Sequence, residues 1–310
     1  MDTIRKKRKE YQSWGKGYYH LSTDGRKDGK LFYSNEQFAY GMTLIGLLTL
    51  RFAVIIYDFV LMDNHIHLLL SGTGAECVRA FDYLRRKISA RLVKDGYAPL
   101  PKDYFFKLTP VKDEEQMRVN YLYIDRNVLE RGSCTPFGYP WGAAYLHHSF
   151  WSKYLTGEKA ETLCKYTELE KITGSRISIP SEWRFHPELG LLPDCFIDKT
   201  LFARLFPDPK MYLTRLVKDY EAFVRLGRSL DETVCLSADE IRNLVRQITM
   251  EMFAGKAVQS LTNNEKGRLC VVLDNQFQLS SSQIAAALNM PEYLVKQFLS
   301  SKDYGKKKAL

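Results

Sequence analysis

The sequence predicts an α+β fold: a ferredoxin-like split βαβ sheet in the first half, followed by an all-α C-terminal region that contains a helix-turn-helix. Three observations predict it. Strand-like and helix-like stretches follow one another as β-α-β-β-α-β and then a helix up to Gly132. The third and fourth of these stretches close on an Asp63-Asn64 turn signal. From Ser237 onward the apolar residues recur only at helical spacing.

The chain has 310 residues, 45% of them hydrophobic and 13% aromatic, enough to bury a large core and more than one domain. The expected division is a catalytic-type domain over 1–155, a helical linker region over 156–232 and a helical domain over 233–310. The 45 Lys+Arg against 36 Asp+Glu give a net charge of +9, which favours an anionic partner, most commonly nucleic acid. Cys77, Cys134, Cys164, Cys195, Cys235 and Cys270 form no CxxC, so neither a zinc ribbon nor a disulfide framework is indicated, and a reducing cytoplasm fits. The apolar runs stop short of the ~20 residues that a membrane span needs. The basic start, Arg5 to Lys9, lacks the apolar stretch of a secretory signal.

Residues 17–23 (GYYHLST) read as a first strand. From Asn35, a candidate cap, EQFAYGMTLIGLLTLR has a helical period and ends on Arg51, a cation suited to the helix dipole. Phe52–Met62 and His65–Ser71 form the hairpin, and Ala75–Lys94 returns to a helix that Asp95-Gly96 ends. Arg79, Arg85, Arg86 and Arg91 decorate this helix, and an ordinary solvated face explains them as well as backbone phosphate contact, for which Arg85 and Arg86 are the candidates. Tyr104–Val111 is a further strand, and Asp113 opens a helix that Gly132 terminates. Beyond Phe150 the chain is less legible: Trp151–Ile172 is amphipathic, ISIPSEWRFHPELGLLP is loop, and Pro209–Leu226 is helical. His147, His148 and His186 read as structural.

The chemistry sits in the hairpin and in the helix that Asp113 opens. In an extended strand His65 and His67 point to one side and Ile66 to the other, so the two imidazoles can share a divalent metal. Tyr123 and Asn127 are four apart, on one helical face. A phenol beside a metal held by two imidazoles and an oxygen donor is equipped to attack a phosphodiester. Tyr121, the reserve nucleophile, lies about 200° away round the helix, so both phenols cannot face one metal.

In the C-terminal region Ser237–Phe253 is an amphipathic helix with Ser237 and Glu240 at capping-box spacing, and Asn264 opens another. Residues 281–288, a turn at Asn289-Met290 and residues 291–299 then have helix-turn-helix spacing. Ala286 allows a close crossing, Ile284, Leu288, Val295 and Phe298 form the core, and Glu292, Tyr293, Lys296 and Gln297 form the polar face that would read duplex DNA. A packing bundle without DNA is the other reading.

Met62-Asp63-Asn64-His65-Ile66-His67-Leu68-Leu69, Tyr123-Ile124-Asp125-Arg126-Asn127 with Gly132, and Tyr139-Pro140-Trp141-Gly142-Ala143-Ala144-Tyr145 occur in that order. Together they resemble the REP-associated tyrosine transposases, single-tyrosine members of the HUH endonuclease group, over about residues 15–150. Asp63 and Val128 stand where that family usually has proline. The resemblance implies DNA transposition and recombination by a metal-dependent single-strand endonuclease. His65 and His67 would be metal ligands, Asn127 a third polar group at the metal, and Tyr123 the nucleophile. The metal would be Mg²⁺ or Mn²⁺, and the substrate single-stranded or hairpin DNA. The alternatives are a catalytically silent hairpin DNA- or RNA-binding regulator and a metal-dependent RNA nuclease.

Overall fold

The computed structural model describes residues 2–23, 29–131, 135–148, 157–160, 177–219, 222–223, 226–227, 230, 236 and 238–301. Its first half runs α1 (Asp2–Gln12), β1 (Lys16–Thr23), α2 (Asn35–Arg51), β2 (Ile55–Leu61), β3 (Ile66–Thr73), α3 (Gly74–Lys94), β4 (Phe106–Val111) and α4 (Glu114–Arg126). From β1 onward the order of strands and helices is the one expected, whereas α1 falls on a basic stretch for which no helix was expected. Each of the long helices starts where a short polar side chain caps it. Ser34 accepts from the Gln37 amide, Thr73 from that of Glu76, and Asp113 from that of Gln116. The cap of α2 is thus Ser34 and not Asn35, because it is Ser34 that has the extended backbone a cap requires.

The four strands form one sheet in the order β2-β3-β1-β4, with every neighbouring pair antiparallel. The fold is therefore α+β. Strand alternation assigns the two faces. Leu68 pairs with Leu21 and His67 with Ser22, so Leu21, Thr23, Ile66 and Leu68 share one face, while His20, Ser22, His67 and Leu69 share the other. Phe106 pairs with Thr23, and its ring lies 4.4 Å from that of Phe81 on α3, so α3 covers the leucine face. Helix α4 packs on β2 and β3 from the histidine face. The Tyr139–Ala143 segment runs along the outer edge of β2. The Leu61 amide donates to Trp141 O (2.8 Å), the Ala143 amide to Phe59 O (3.0 Å), and Tyr139 Oη to Leu61 O (2.7 Å). A Cβ at Gly142 would meet Phe59 O at 3.1 Å, so glycine lets the two backbones approach.

After α5 (Ala144–His148), the segment expected to be a helical linker also carries strands. β5 (Glu158–Lys159), β6 (Arg184–His186) and β7 (Gly190–Leu191) form a small antiparallel sheet, followed by α6 (Thr200–Leu205) and α7 (Pro209–Lys218). β7 is held to α2 by the Leu191 amide donating to Thr43 Oγ1 at 3.2 Å. Gly190 is in the left-handed region (φ 72°), and a Cβ there would sit 2.2 Å from Ala39 O. Most of the amphipathic stretch 151–172, the Gly132 terminator and the Ser237 cap lie outside the described residues.

The chain divides into two compact units, Met1–Leu216 and Val217–Leu310. The second contains α8 (Ala238–Met252), α9 (Asn263–Phe277), α10 (Ser281–Leu288) and α11 (Glu292–Ser300). Capping boxes at Thr262/Glu265 and Ser280/Gln283 start α9 and α10, and Asn289 ends α10 in the left-handed conformation. Ile284, Leu288 and Val295 are buried and Phe298 is half-buried. The small residue turned inward is Ala285 and not Ala286, which is exposed, because Ala285 shares its face with Leu288.

One buried feature works against stability. Asp58, at the β2 irregularity, accepts from the Phe59 amide through Oδ1 (2.8 Å), but its Oδ2 is buried with no partner among the described residues. Burial and the charge of Asp125 push its carboxyl well above the usual range. Burial likewise raises Asp125 to about 7, against the opposing bond from Tyr212 Oη (2.5 Å). A carboxyl raised in this way stabilises the fold below its unfolded value and loses that contribution as pH rises through its folded value. Asp58→Asn should therefore stabilise the protein above about pH 7, by on the order of 1–3 kcal/mol, and much less below about pH 4. Denaturant unfolding at both pH values checks this, and a loss of stability at the higher pH would contradict it.

Candidate active site

The histidine face of the sheet and one stripe of α4 make the site. His67 is fully buried on β3, whereas His65 precedes the strand and is half-buried. Their ring centroids are 5.0 Å apart. The Tyr123 ring is 5.8 Å from that of His67 and 6.1 Å from that of His20, edge-on to both. Asn127, the first residue past α4, donates through Nδ2 to Tyr123 O (2.8 Å). That bond turns its Oδ1 toward His65 Nε2, at 3.1 Å. His65, His67, Tyr123 and Asn127 are thus brought together.

The atoms facing one another suit a cation. His65 Nδ1 lies 2.8 Å from Asn64 Oδ1, a carbonyl oxygen that only accepts, so the ring proton belongs on Nδ1 and Nε2 presents its lone pair. That lone pair faces the Asn127 oxygen, also an acceptor. Two acceptors at this distance need a proton or a metal ion between them. Two imidazole nitrogens and an amide oxygen form a mixed nitrogen and oxygen set. Among the described residues no group of three His, Cys, Asp or Glu could hold a metal, so any ion here would need the Asn127 amide as a third donor.

Tyr121 is elsewhere. Its ring is fully buried among Phe202 (5.2 Å), His147 (6.2 Å) and Phe206 (6.2 Å), and burial raises its phenol. Among the described residues the Tyr121 hydroxyl has no hydrogen-bond partner. Arg85 and Arg86 are not brought to the histidines, because α3 covers the opposite face of the sheet. Lys107, which sequence reasoning missed, pairs with Ser22 and so lies on the histidine face. Glu292, Tyr293, Lys296 and Gln297 are all exposed on α11, where Glu292 binds Lys296 (2.9 Å) and accepts from Ser281 Oγ (2.8 Å).

His20 was missed as well. It is fully buried on β1, with Nε2 at 2.9 Å from His67 Nδ1 and Nδ1 at 2.6 Å from Asn120 Oδ1. Burial lowers its imidazole to about 4, against the opposing Asn120 bond. His67 is lowered too, by burial first and then by His65 and His20, with Asn127 acting in the other direction. A lone histidine in GYYHLST carries no spacing signal. Its only sequence trace is a polar residue at an inward position of a strand.

No protein-family model matches the chain, and no curated protein does. Among solved structures it is similar to one described as "Structure of the REP associates tyrosine transposase bound to a REP hairpin". The TM-score is 0.36 and the identity 13%, over 43% of this chain and 81% of that one. At that TM-score the likeness decides nothing about this chain, and the side-chain geometry has to. Among the described residues no helix is long and apolar enough to cross a membrane.

Because His20 takes up a proton near ~6.5 when unfolded but only near 4 when folded, its contribution to stability is complete above about pH 6.5 and is lost as pH falls toward 4. Between about pH 7 and about pH 4 the metal-free protein should lose roughly 3 kcal/mol more than His20→Gln, which cannot titrate. Urea unfolding at the two pH values measures the difference, and equal losses would show that His20 is not the buried neutral base.

Proposed function

We propose that this chain is a metal-dependent single-strand DNA endonuclease and strand transferase. It would act on hairpin-containing DNA through a 5′-phosphotyrosine intermediate, in the manner of the single-tyrosine HUH transposases. The observation that carries the reading is the convergence of the Tyr123 ring, two imidazoles and the Asn127 amide on one face of a sheet. The strand order β2-β3-β1-β4, antiparallel throughout, agrees with a ferredoxin-like split βαβ sheet over the catalytic region, about residues 1–155.

His65 Nε2, His67 Nε2 and Asn127 Oδ1 would hold the cation, Mg²⁺ or Mn²⁺. Bound there, it supplies a Lewis acid that polarises the oxygens of the scissile phosphate. Tyr123 Oη attacks phosphorus and the 3′ oxygen leaves. The phenol proton passes to solvent, and the departing oxygen takes one up as a free 3′-hydroxyl. The phosphotyrosine keeps the energy of the broken bond, so attack by another 3′-hydroxyl can reverse the step on a second strand. Lys107, on the same face by register, is a candidate contact for the DNA backbone. Arg85 and Arg86, across the sheet, would serve only a strand wrapped round the protein.

The helices α10 and α11 are proposed as a duplex-reading module within a C-terminal domain of about 233–310, with Tyr293, Lys296 and Gln297 at its exposed face and Glu292 holding Lys296 in place. The proposed setting is the cytoplasm.

Tyr123→Phe should abolish a denaturation-resistant protein–DNA adduct on labelled hairpin oligonucleotides, whereas Tyr121→Phe should keep it. His65→Ala or His67→Ala should cut adduct formation at least a hundredfold while leaving hairpin binding within a few-fold. Denaturing gels read both. Binding by the unmodified protein with no adduct under Mg²⁺ or Mn²⁺ would turn the reading to a silent hairpin binder.

Lys296→Ala should weaken duplex binding across sequences and lower the salt slope of the binding constant by about one. Isotherms at several salt concentrations test it. An unchanged slope would make α10 and α11 a packing bundle.

A further inference from the structure

A chain of four hydrogen-bonded groups runs from α4 through the sheet to the proposed metal ligand His67. Asn120 Nδ2 donates to Gln116 O at 2.7 Å, one turn back on α4. Only the nitrogen of a side-chain amide can donate to a carbonyl, so Asn120 Oδ1 must be the atom turned to His20, and that oxygen can only accept. His20 Nδ1 therefore carries the ring proton and donates it at 2.6 Å. Fully buried and with no acid beside it among the described residues, His20 is neutral, so its Nε2 holds a lone pair. His67 Nδ1, 2.9 Å away, must then carry its own proton and donate to that lone pair. What remains on His67 is Nε2 with its lone pair.

We propose that His20 is a positioning residue for the metal site. Anchored by Asn120, it holds His67 in the Nδ1–H tautomer, so that Nε2 is the ligand atom presented beside His65 and Asn127. The inference rests on the metal reading for its purpose but not for its geometry. It also gives α4 two attachments to the site. Asn120 precedes the nucleophile by three residues and Asn127 follows it by four, so Tyr123 is held between a bond to the His20–His67 chain and a bond to His65.

Replacing His20 with Phe keeps an aromatic ring but removes both polar atoms. His67 would then be free to take the other tautomer or to turn, and a second partner of this kind is typically worth 10–100-fold in metal affinity. His20→Gln is the conservative variant, because its amide can donate to Asn120 Oδ1 and accept from His67 Nδ1 at once. The experiment has two readouts on the full chain. Long-range ¹H–¹⁵N correlation spectra of the metal-free, histidine-labelled protein report which nitrogen of each ring is protonated. Mn²⁺ titration followed by electron paramagnetic resonance reports affinity.

The expected result is that His20 and His67 are both in the Nδ1–H form in the unmodified protein. His20→Phe should lose that signature at His67 and bind Mn²⁺ roughly 10–100-fold more weakly. His20→Gln should restore both to within a few-fold, and Asn120→Leu should reproduce the defect of His20→Phe without touching either histidine. An Nε2–H form of His67 in the unmodified protein overturns the inference. So does His20→Phe with unchanged tautomer and affinity. If His20→Phe does not fold, the spectra of the unmodified protein and of His20→Gln still decide. An unmodified protein that takes up no Mn²⁺ would sink the metal reading, whereas the ring-nitrogen signals would still settle the tautomer.

Discussion

Burying imidazoles inside a sheet is the constraint on which this first unit depends. His20 and His67 lie on the two central strands with no exposed surface. An unpaired imidazole in such a place would forfeit its hydrogen bonds to water, and a charged one would be costlier still. Both ring nitrogens of His20 and Nδ1 of His67 therefore find partners that α4 and the neighbouring strand supply. That requirement sets the face of α4. Asn120, Tyr123 and Asn127 follow at spacings of three and four, which is one stripe of a helix. The polar stripe faces the histidines, so the register that satisfies them also brings the Tyr123 phenol to the same place.

The adjoining face of α4 is fixed in another way. Tyr121 packs on Phe202 and Phe206, and Asp125 accepts from Tyr212, so residues 200–212 hold the helix from outside the sheet. A cut at residue 155 would strip this cover and expose Tyr121 and Asp125, although the residues of the proposed site all lie before it. The buried Asp58 and Asp125 near this face are a cost that the apolar packing has to offset. No step of the proposed chemistry uses them.

Much of this was legible in the sequence, and the reasons are specific. Caps, turn signals and periodicity are local, so the strands, the helices and the pairs His65/His67 and Tyr123/Asn127 could be read directly. The direction of Tyr121 followed from helix geometry alone. His20 could not be found because its partners are 47 and 100 residues away, and such distances leave no mark on local spacing. Arg85 and Arg86 were assigned to DNA contact from their charge, whereas only strand pairing shows that α3 lies across the sheet from the histidines. Strands β5 to β7 are two or three residues long, too short for alternation to register, and Ala285 and Ala286 differ only in the angle each takes on α10.

The choice of an amide at position 127 has an electrostatic meaning under the proposed mechanism. Two imidazoles that bind through a lone pair, with a neutral amide oxygen, offset none of the charge of a divalent cation. A carboxylate in that position would cancel part of it. The missing negative charge would have to come from the substrate, and a phosphodiester carries one in the place where the polarisation is needed. In a chain of net charge +9 the site would then hold its cation most tightly when DNA is bound, so metal and strand would raise each other's affinity by the same factor. His20 serves that economy of charge, since it orients His67 without adding an anion to the site.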